Sequence, residues 1–154
     1  MTYKKILVPY DGSKPSDRAL LHAIQIAHKS NAKIILVNIV TEILYPNYIS
    51  FRGAAVNLKS ARDLAKELYY EMRKISQKML DSKKKLCENQ KIVVETTVGY
   101  GNVTKSIVDL IKKKDVDLVV MGTTGLSGIS KIKSIGSVAR NVSEKAHCPV
   151  LLVH

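Results

Sequence analysis

Aromatic residues and cysteines are scarce in this chain. It has no tryptophan, one phenylalanine and two cysteines, Cys87 and Cys148. These cysteines have no CxxC spacing and no histidine at metal-ligand spacing. We therefore predict two reduced, partly buried thiols in a cytoplasmic protein, with a structural disulfide as the alternative.

Long uncharged hydrophobic runs are also missing, so no membrane-spanning segment is predicted. The amino-terminal stretch MTYKKILVPYDG contains a short apolar run that ends at Asp11. This pattern is typical of a first core strand and not of a signal peptide. With 154 residues, the chain is predicted to form one domain, residues 1–154.

Residue clusters that could perform catalysis or hold a metal are missing as well. None of the four histidines has a cysteine or carboxylate at the spacing typical of metal ligands, so no metal site is predicted. No neighbouring pair of carboxylates offers an acid and a base, so no catalytic residue is predicted.

The chain has 13 aspartates and glutamates against 25 lysines and arginines, so its formal net charge is +12. Such a charge suits nucleic acid, an anionic lipid or a phosphorylated ligand. However, the lysines are spread along the chain without interleaved aromatic residues that could stack on bases. We therefore favour lysine-rich, solvated helix faces over a nucleic-acid site. The main lysine clusters are Lys4–Lys5, Lys83–Lys85, Lys112–Lys114 and Lys131–Lys133.

Strand and helix patterns alternate along the whole chain. Short β-branched or apolar runs predict strands at residues 4–10, 33–40, 91–98, 117–122 and 149–154. Helical spacing predicts helices after Ser13, at 58–89, at 102–114 and at 137–146. This order predicts an α/β fold, a single-domain open parallel five-stranded sheet with helices on both faces.

Two details of this prediction concern local structure. Residues 41–57 are predicted to form a long irregular loop, and Gly99–Tyr100–Gly101 a tight turn between strand and helix. The long helix at 58–89 carries apolar residues at helical spacing, which predict its buried stripe: Leu64, Leu68, Met72, Ile75, Met79 and Leu86.

Glycine is concentrated in one basic stretch. The run MGTTGLSGISKIKSIGSVARN, residues 121–141, has four glycines, and residues 118–143 include no Asp or Glu. It follows the fourth predicted strand, and open parallel sheets bind ligands at the carboxyl ends of their strands. The run ends at the start of a helix, where free backbone N–H groups and the helix dipole favour an anion. The local pattern therefore predicts a phosphate site.

Nearly the whole chain resembles the universal stress protein family. The stretch KKILVPYDGSKPSDRAL is similar to that family's first strand and its aspartate-containing turn. The ATP-binding signature of the family places a Gly, two residues, a second Gly, nine residues, and then a Gly followed by Ser or Thr. Gly122, Gly125, Gly136 and Ser137 occupy these roles, although ten residues separate Gly125 from Gly136.

The resemblance implies a flavodoxin-like, or adenine nucleotide alpha hydrolase-like, fold with a nucleotide at the carboxyl ends of strands 1, 2 and 4. Asp11 would contact the ribose, Ile39 would line the adenine pocket, and Ser137 would contact the phosphates. Alternatively, Asp11 serves the turn, Ile39 packs in the core and Ser137 only begins a helix. The complete predicted site comprises Pro9, Tyr10, Asp11, Ile39, Met121, Gly122, Gly125, Gly136, Ser137 and Val138.

The function implied by this resemblance is a stress-response module or switch that binds ATP, or AMP or ADP instead. Mg²⁺ would be held through the phosphates, with help from Asp11. The last strand, at Val150–His154, would pair two copies into a homodimer, and the client protein is not identified. The alternatives are a slow ATPase, a nucleic-acid-binding protein and a dimeric scaffold without nucleotide.

Overall fold

The structure, a computed structural model, describes residues 2–41, 58–125 and 135–154. Within these ranges, strands and helices alternate as predicted. They are β1 (Lys5–Pro9), α1 (Lys14–Ser30), β2 (Lys33–Val40), α2 (Leu58–Asn89), β3 (Val94–Tyr100), α3 (Val103–Lys114), β4 (Leu118–Gly122), α4 (Ser137–Lys145) and β5 (Val150–Val153). The predicted loop at 41–57, apart from Thr41, and residues 126–134 of the glycine-rich run lie outside the described residues.

The described strands form one parallel sheet in the order β3-β2-β1-β4-β5. This arrangement confirms the predicted α/β fold. Flavodoxin has the strand order 2-1-3-4-5, so this sheet shares its parallel α/β architecture but differs from it in strand order. In this chain the strand order reverses direction at β1, which pairs with both β2 and β4. Ligand crevices form at such reversals, at the carboxyl ends of the strands.

The sheet is covered on both faces because β1, β2 and β4 carry apolar residues at successive positions. Ile6 and Val8 face the layer formed by α1 and α2, whereas Leu7 faces the layer formed by α3 and α4. All three side chains are fully buried. Fully burying an aliphatic side chain contributes about 1.5–3 kcal/mol to folding stability. Burial on both faces therefore stabilises the central strand and, with it, the position of its carboxyl end.

Polar residues at the helix ends fix where α1 and α3 begin and end. Ser13 caps α1 by accepting a hydrogen bond from the backbone N–H of Ser16 at 3.2 Å, as its position predicts. Asn102 caps α3 in the same way. Asn31 and Asp115 end the two helices in the left-handed conformation.

The predicted turn at Gly99–Tyr100–Gly101 is wrong for its first two residues. β3 starts at Val94 and continues through Gly99 and Tyr100, which pair with Ile39 and Val40 of β2. Only Gly101, with φ of +106°, leaves the strand. Gly99 and Gly101 favour a turn because glycine is conformationally flexible. However, β3 pairs with β2 as far as Val40, and this pairing keeps Gly99 and Tyr100 extended.

The predicted buried stripe of α2 is also wrong. Leu64, Leu68, Met72, Ile75 and Leu86 are exposed, and Met79 alone of the predicted set is partly buried against the core. The residues that α2 buries are Ser76, Leu80 and Cys87, one position further around the helix. The apolar period identified an apolar face correctly, but the sheet contacts the neighbouring face.

Among the described helices, none has the length and hydropathy needed to cross a bilayer.

Candidate functional site

A cavity of about 470 Å³ opens at the carboxyl ends of β1, β2 and β4. Cavities of this size are typical of small-molecule sites. All of the residues predicted from the sequence line it: Pro9, Tyr10, Asp11, Ile39, Met121, Gly122, Gly125, Gly136, Ser137 and Val138. The fold thus brings together segments that are more than a hundred residues apart in the chain.

The turn after β1 places a carboxylate in the wall of this cavity. The Oδ1 atom of Asp11 accepts a hydrogen bond from the backbone N–H of Ser13 at 3.0 Å, so Asp11 does serve the turn. Gly12 completes the turn with φ of +84°, a conformation that favours glycine. Asp11 also lines the cavity, so its turn role and a ligand role are compatible.

Tyr10 lines the cavity and also belongs to the core beside α1 and α2. The Tyr10 hydroxyl donates to Oδ1 of Asp17 at 2.6 Å, and Lys83 pairs with the same carboxylate at 2.8 Å. Burial, followed by the hydrogen bond to Asp17, raises the pKa of Tyr10, whereas the hydrogen bond from Lys83 is the main cause of the lowered pKa of Asp17. Through these contacts the cluster connects the segment after β1 with α1 and α2.

Glycines on the opposite wall allow a close approach, to a side chain at Gly125 and to the start of α1 at Gly122. A Cβ atom on Gly125 would lie 2.7 Å from Oδ2 of Asp11. One on Gly122 would lie 2.7 Å from the Cβ of Pro15 and 2.9 Å from its carbonyl carbon. The backbone N–H of Gly136 donates to the carbonyl of Thr123 at 2.7 Å, which holds the start of α4 beside the end of β4.

The start of α4 has no side-chain cap among the described residues, unlike the starts of α1 and α3. Gly136 occupies the cap position, and Ser137 and Val138 form the first turn that lines the cavity. Backbone N–H groups at a helix start remain without intrahelical partners, and the helix dipole makes this end attractive to anions. The site is therefore suited to a phosphate group.

The other side of the cavity is apolar. Ile39 and Met121 come from the sheet, while Val103 and Ile107 come from successive turns of α3. Ile39 and Met121 also belong to the core between the sheet and the α3–α4 layer. Core packing and cavity lining are therefore both true of Ile39. The cavity consequently has an apolar side and a side rich in backbone donors and hydroxyl groups.

Asp11 is the one carboxylate among the described residues that line the cavity. Within residues 2–41, 58–125 and 135–154, no group of three His, Cys, Asp or Glu side chains could hold a metal ion. A cation at this site would accordingly need ligands from a bound molecule in addition to Asp11.

The model of the universal stress protein family matches residues 2–154. The chain belongs to this family. Among curated universal stress proteins, it is 37% identical to MJ0531 of Methanocaldococcus jannaschii, covering 98% of this chain and 82% of that protein. It is 30% identical to YxiE of Bacillus subtilis, covering 98% of this chain and 99% of that protein.

Solved universal stress protein structures share the fold. UspA from Lactobacillus plantarum aligns with a TM-score of 0.85 at 22% identity, covering 100% of this chain and 99% of that one. A universal stress protein in complex with cAMP aligns at 0.61 and 25% identity, covering 100% and 98%. One from Archaeoglobus fulgidus in complex with dAMP aligns at 0.61 and 20% identity, covering all of both chains.

Several residues that line the cavity of this universal stress protein were missed by sequence reasoning. Val103 and Ile107 follow a strand and stand four residues apart, a spacing that places both on one helix face. Asn38 is the polar exception in the run KIILVNIV, and its Nδ2 atom donates to the Tyr10 carbonyl at 2.8 Å. The remaining missed residues are Ser16, Val37, Thr41, Thr123, Thr124 and Ala139.

Proposed function

We propose that the chain acts as one domain, residues 1–154, which binds an adenine nucleotide in the cavity at the carboxyl ends of β1, β2 and β4. ATP is the proposed form, with AMP or ADP as alternatives. The observation that carries the proposal is the meeting of three features around one cavity. They are Asp11, the Gly122–Gly125 backbone and the start of α4, which has no side-chain cap within the part of the chain that the structure describes.

The two sides of the cavity suggest how the nucleotide would lie. The base would pack on the apolar side, against Ile39, Val103 and Met121. The phosphates would accept hydrogen bonds from the first turn of α4, with the Ser137 hydroxyl as an additional donor. Asp11 would accept hydrogen bonds from the ribose hydroxyls. The cAMP and dAMP complexes of the two related proteins support an adenine nucleotide as the ligand class.

The absent carboxylates support a phosphate at the start of α4. Residues 118–143 contain no Asp or Glu, so no acidic side chain of this segment would repel a phosphate group. Mg²⁺ would bind mainly through the phosphates, with Asp11 as the protein carboxylate available to it.

We further propose that the protein is a cytoplasmic homodimeric switch or binding module of the stress response. Among the described strands, β5 lies at one edge of the sheet, and its outer backbone groups would pair with those of a second copy. Both cysteines are free thiols, which agrees with a reducing compartment. The proposed client is another protein, and its recognition would depend on the bound nucleotide.

Identification of the nucleotide carried through purification tests this proposal. The purified protein is denatured, and the released small molecules are separated and weighed by mass spectrometry. We expect ATP, ADP or AMP, and we expect added ATP to raise the melting temperature more than GTP does. If no nucleotide is released and no adenine nucleotide changes the melting temperature, the proposal is wrong. Phosphate release measured in the same sample distinguishes a switch that hydrolyses ATP from one that only binds it.

A further inference from the structure

The face of α2 beside its sheet contact carries a stripe of apolar side chains, most of them exposed. We define the outer stripe as Leu68, Met72, Ile75, Met79, Ser82 and Leu86, which are spaced four, three, four, three and four residues apart. Ser82 is its one polar member, and Met79 is partly buried against the core, whereas the other four side chains are exposed. Leu64 stands one turn before it. Ile75 is 66% exposed and Leu64 58%, whereas Leu80 and Cys87 on the sheet-facing side are fully buried. A contiguous apolar stripe of this kind marks an interaction surface.

The spacing of the outer stripe indicates another helix as the partner. Apolar residues alternating at three and four positions repeat about every 3.5 residues, the pattern by which two helices pack side chains into each other. A helix that only covers a sheet needs no second stripe with this repeat. In α2 the core contact uses mainly the neighbouring face, so Leu68, Met72, Ile75 and Leu86 of the outer stripe are exposed and available for such packing.

The charges beside the outer stripe favour the same helix of a second copy, running antiparallel. Glu71 and Lys78 each immediately precede a stripe methionine and are both exposed. When Met72 packs opposite Ile75 of a second copy, Glu71 lies opposite Lys78 of that copy. The two-fold symmetry repeats this pairing on the other side. In a parallel arrangement with the helices in register, Glu71 and Lys78 of the second copy would be offset by about 10.5 Å along the helix axis and could not pair.

We propose that the outer stripe of α2 pairs with the outer stripe of a second copy to form an antiparallel helix dimer. α2 packs against β2 and β3, while β5 lies at the opposite edge of the sheet. The α2 contact is thus separate from the dimer proposed through β5, and the two can coexist in one assembly. It does not depend on nucleotide binding.

Engineered cysteines at the charged pair test this geometry directly. We would combine Glu71→Cys with Lys78→Cys and oxidise the protein. Within one helix these positions are about 10.5 Å apart, too far for a disulfide. In the proposed dimer each lies beside the other position of the second copy. The matched control combines Lys74→Cys with Asp81→Cys, which have the same separation but lie away from the outer stripe.

We expect covalent dimers to form about ten times faster, or more, in the Glu71/Lys78 pair than in the control pair. Wild-type protein, with Cys87 and Cys148, supplies the background rate. Equal rates in the two engineered pairs would overturn the proposal, whatever happens at β5, because only the α2 contact distinguishes them.

Charge reversal provides a second test that needs no oxidation. Glu71→Lys alone and Lys78→Glu alone each place like charges opposite one another, so we expect each to weaken association about tenfold. Mixing the two variants restores opposite charges in the mixed dimer. We expect sedimentation equilibrium to show the mass recovering in the mixture. The control Lys74→Glu removes a different ion pair, the one between Lys74 and Glu71 within the helix, which has an Nζ–Oε1 distance of 2.7 Å. It leaves Glu71 and Lys78 in place and should not weaken association. A mixture no larger than its components would contradict the proposal.

Discussion

The two ends of the sheet differ in how their polar groups are satisfied. At the amino ends of the strands, Glu95 pairs with Lys33 at 2.6 Å and with Lys114 at 2.5 Å. The Asp117 carboxylate accepts hydrogen bonds from the backbone N–H groups of Lys4 and Lys5. At the carboxyl ends, by contrast, glycines line a cavity and α4 begins without a side-chain cap among the described residues.

This difference separates stability from binding. The amino end uses carboxylates and lysines to satisfy one another, so substitutions there should change stability and leave nucleotide binding intact. At the carboxyl end, backbone donors face the cavity, and substitutions should change binding more than stability. Four predictions test this division, from the largest expected effect to the smallest.

Gly125→Val should have the largest effect on nucleotide binding. The new Cβ would lie 2.7 Å from Oδ2 of Asp11, and the added methyl groups would fill the space between the two walls. We expect ATP affinity to fall about a hundredfold, or about 2.8 kcal/mol, by isothermal titration calorimetry. Gly125→Ala adds the Cβ without the branch and should fall between wild type and Val. Unchanged affinity in Gly125→Val would exclude Gly125 from the nucleotide site.

Asp11→Ala should weaken ATP binding about tenfold, since it removes the proposed ribose acceptor. It also removes the hydrogen bond from the backbone N–H of Ser13, so some loss of stability is expected. Asp11→Asn keeps an oxygen for that turn and separates the two effects. We expect Asn to restore the melting temperature without fully restoring affinity. Full affinity in the Ala variant would show that the carboxylate does not contact the ligand.

Glu95→Gln should lower the free energy of unfolding by about 1–2 kcal/mol at neutral pH, with ATP affinity unchanged. Hydrogen bonds from Lys114 and then Lys33 hold the pKa of Glu95 at about 2, below its ordinary value of 4.5. A carboxylate with a depressed pKa stabilises the fold above the ordinary value, and this contribution is lost as the pH falls towards 2.

Urea unfolding of wild type and Glu95→Gln across this pH range measures that contribution. The difference between the two proteins should be constant above pH 4.5 and shrink as the pH falls from 4.5 towards 2. A difference that does not change with pH would mean that the ion pairs do not stabilise the fold.

Lys91→Gly should have the smallest effect and the opposite sign. Lys91 has φ of +60°, in the left-handed region where a side chain costs about 1 kcal/mol. Glycine removes this strain but adds freedom to the unfolded chain, so we expect a net gain of about 0.5 kcal/mol. Chemical denaturation measures this change in the free energy of unfolding. Val93→Gly nearby, where nothing favours glycine, is the control and should destabilise.

Much of the fold and of the site follows from local sequence patterns. The β-branched run KIILVNIV predicted β2 with its observed bounds, because a strand buried on both faces needs apolar side chains throughout. Glycines and the Asp11–Gly12 turn indicated the cavity because close backbone approach leaves no room for side chains.

The errors arose where the outcome depends on packing between distant elements. An apolar stripe shows that α2 has an apolar face, but not which face meets the sheet, and Ser76 is buried there while Ile75 is exposed. Val103 and Ile107 escaped notice because helix spacing alone does not distinguish a cavity wall from core. The extension of β3 through Gly99 and Tyr100 is set by pairing with β2, which no local pattern reports.

Backbone amide chemical shifts recorded during an ATP titration test the central claim most directly, because they report both ends of the sheet in one experiment. We predict saturable shifts at Tyr10, Asp11, Gly122, Gly125 and the Gly136–Val138 segment, with amides at the amino ends of the strands unchanged. Shifts concentrated around Lys4, Lys33 and Lys91, or no saturable shifts at all, would contradict the assignment of the nucleotide site to the carboxyl end.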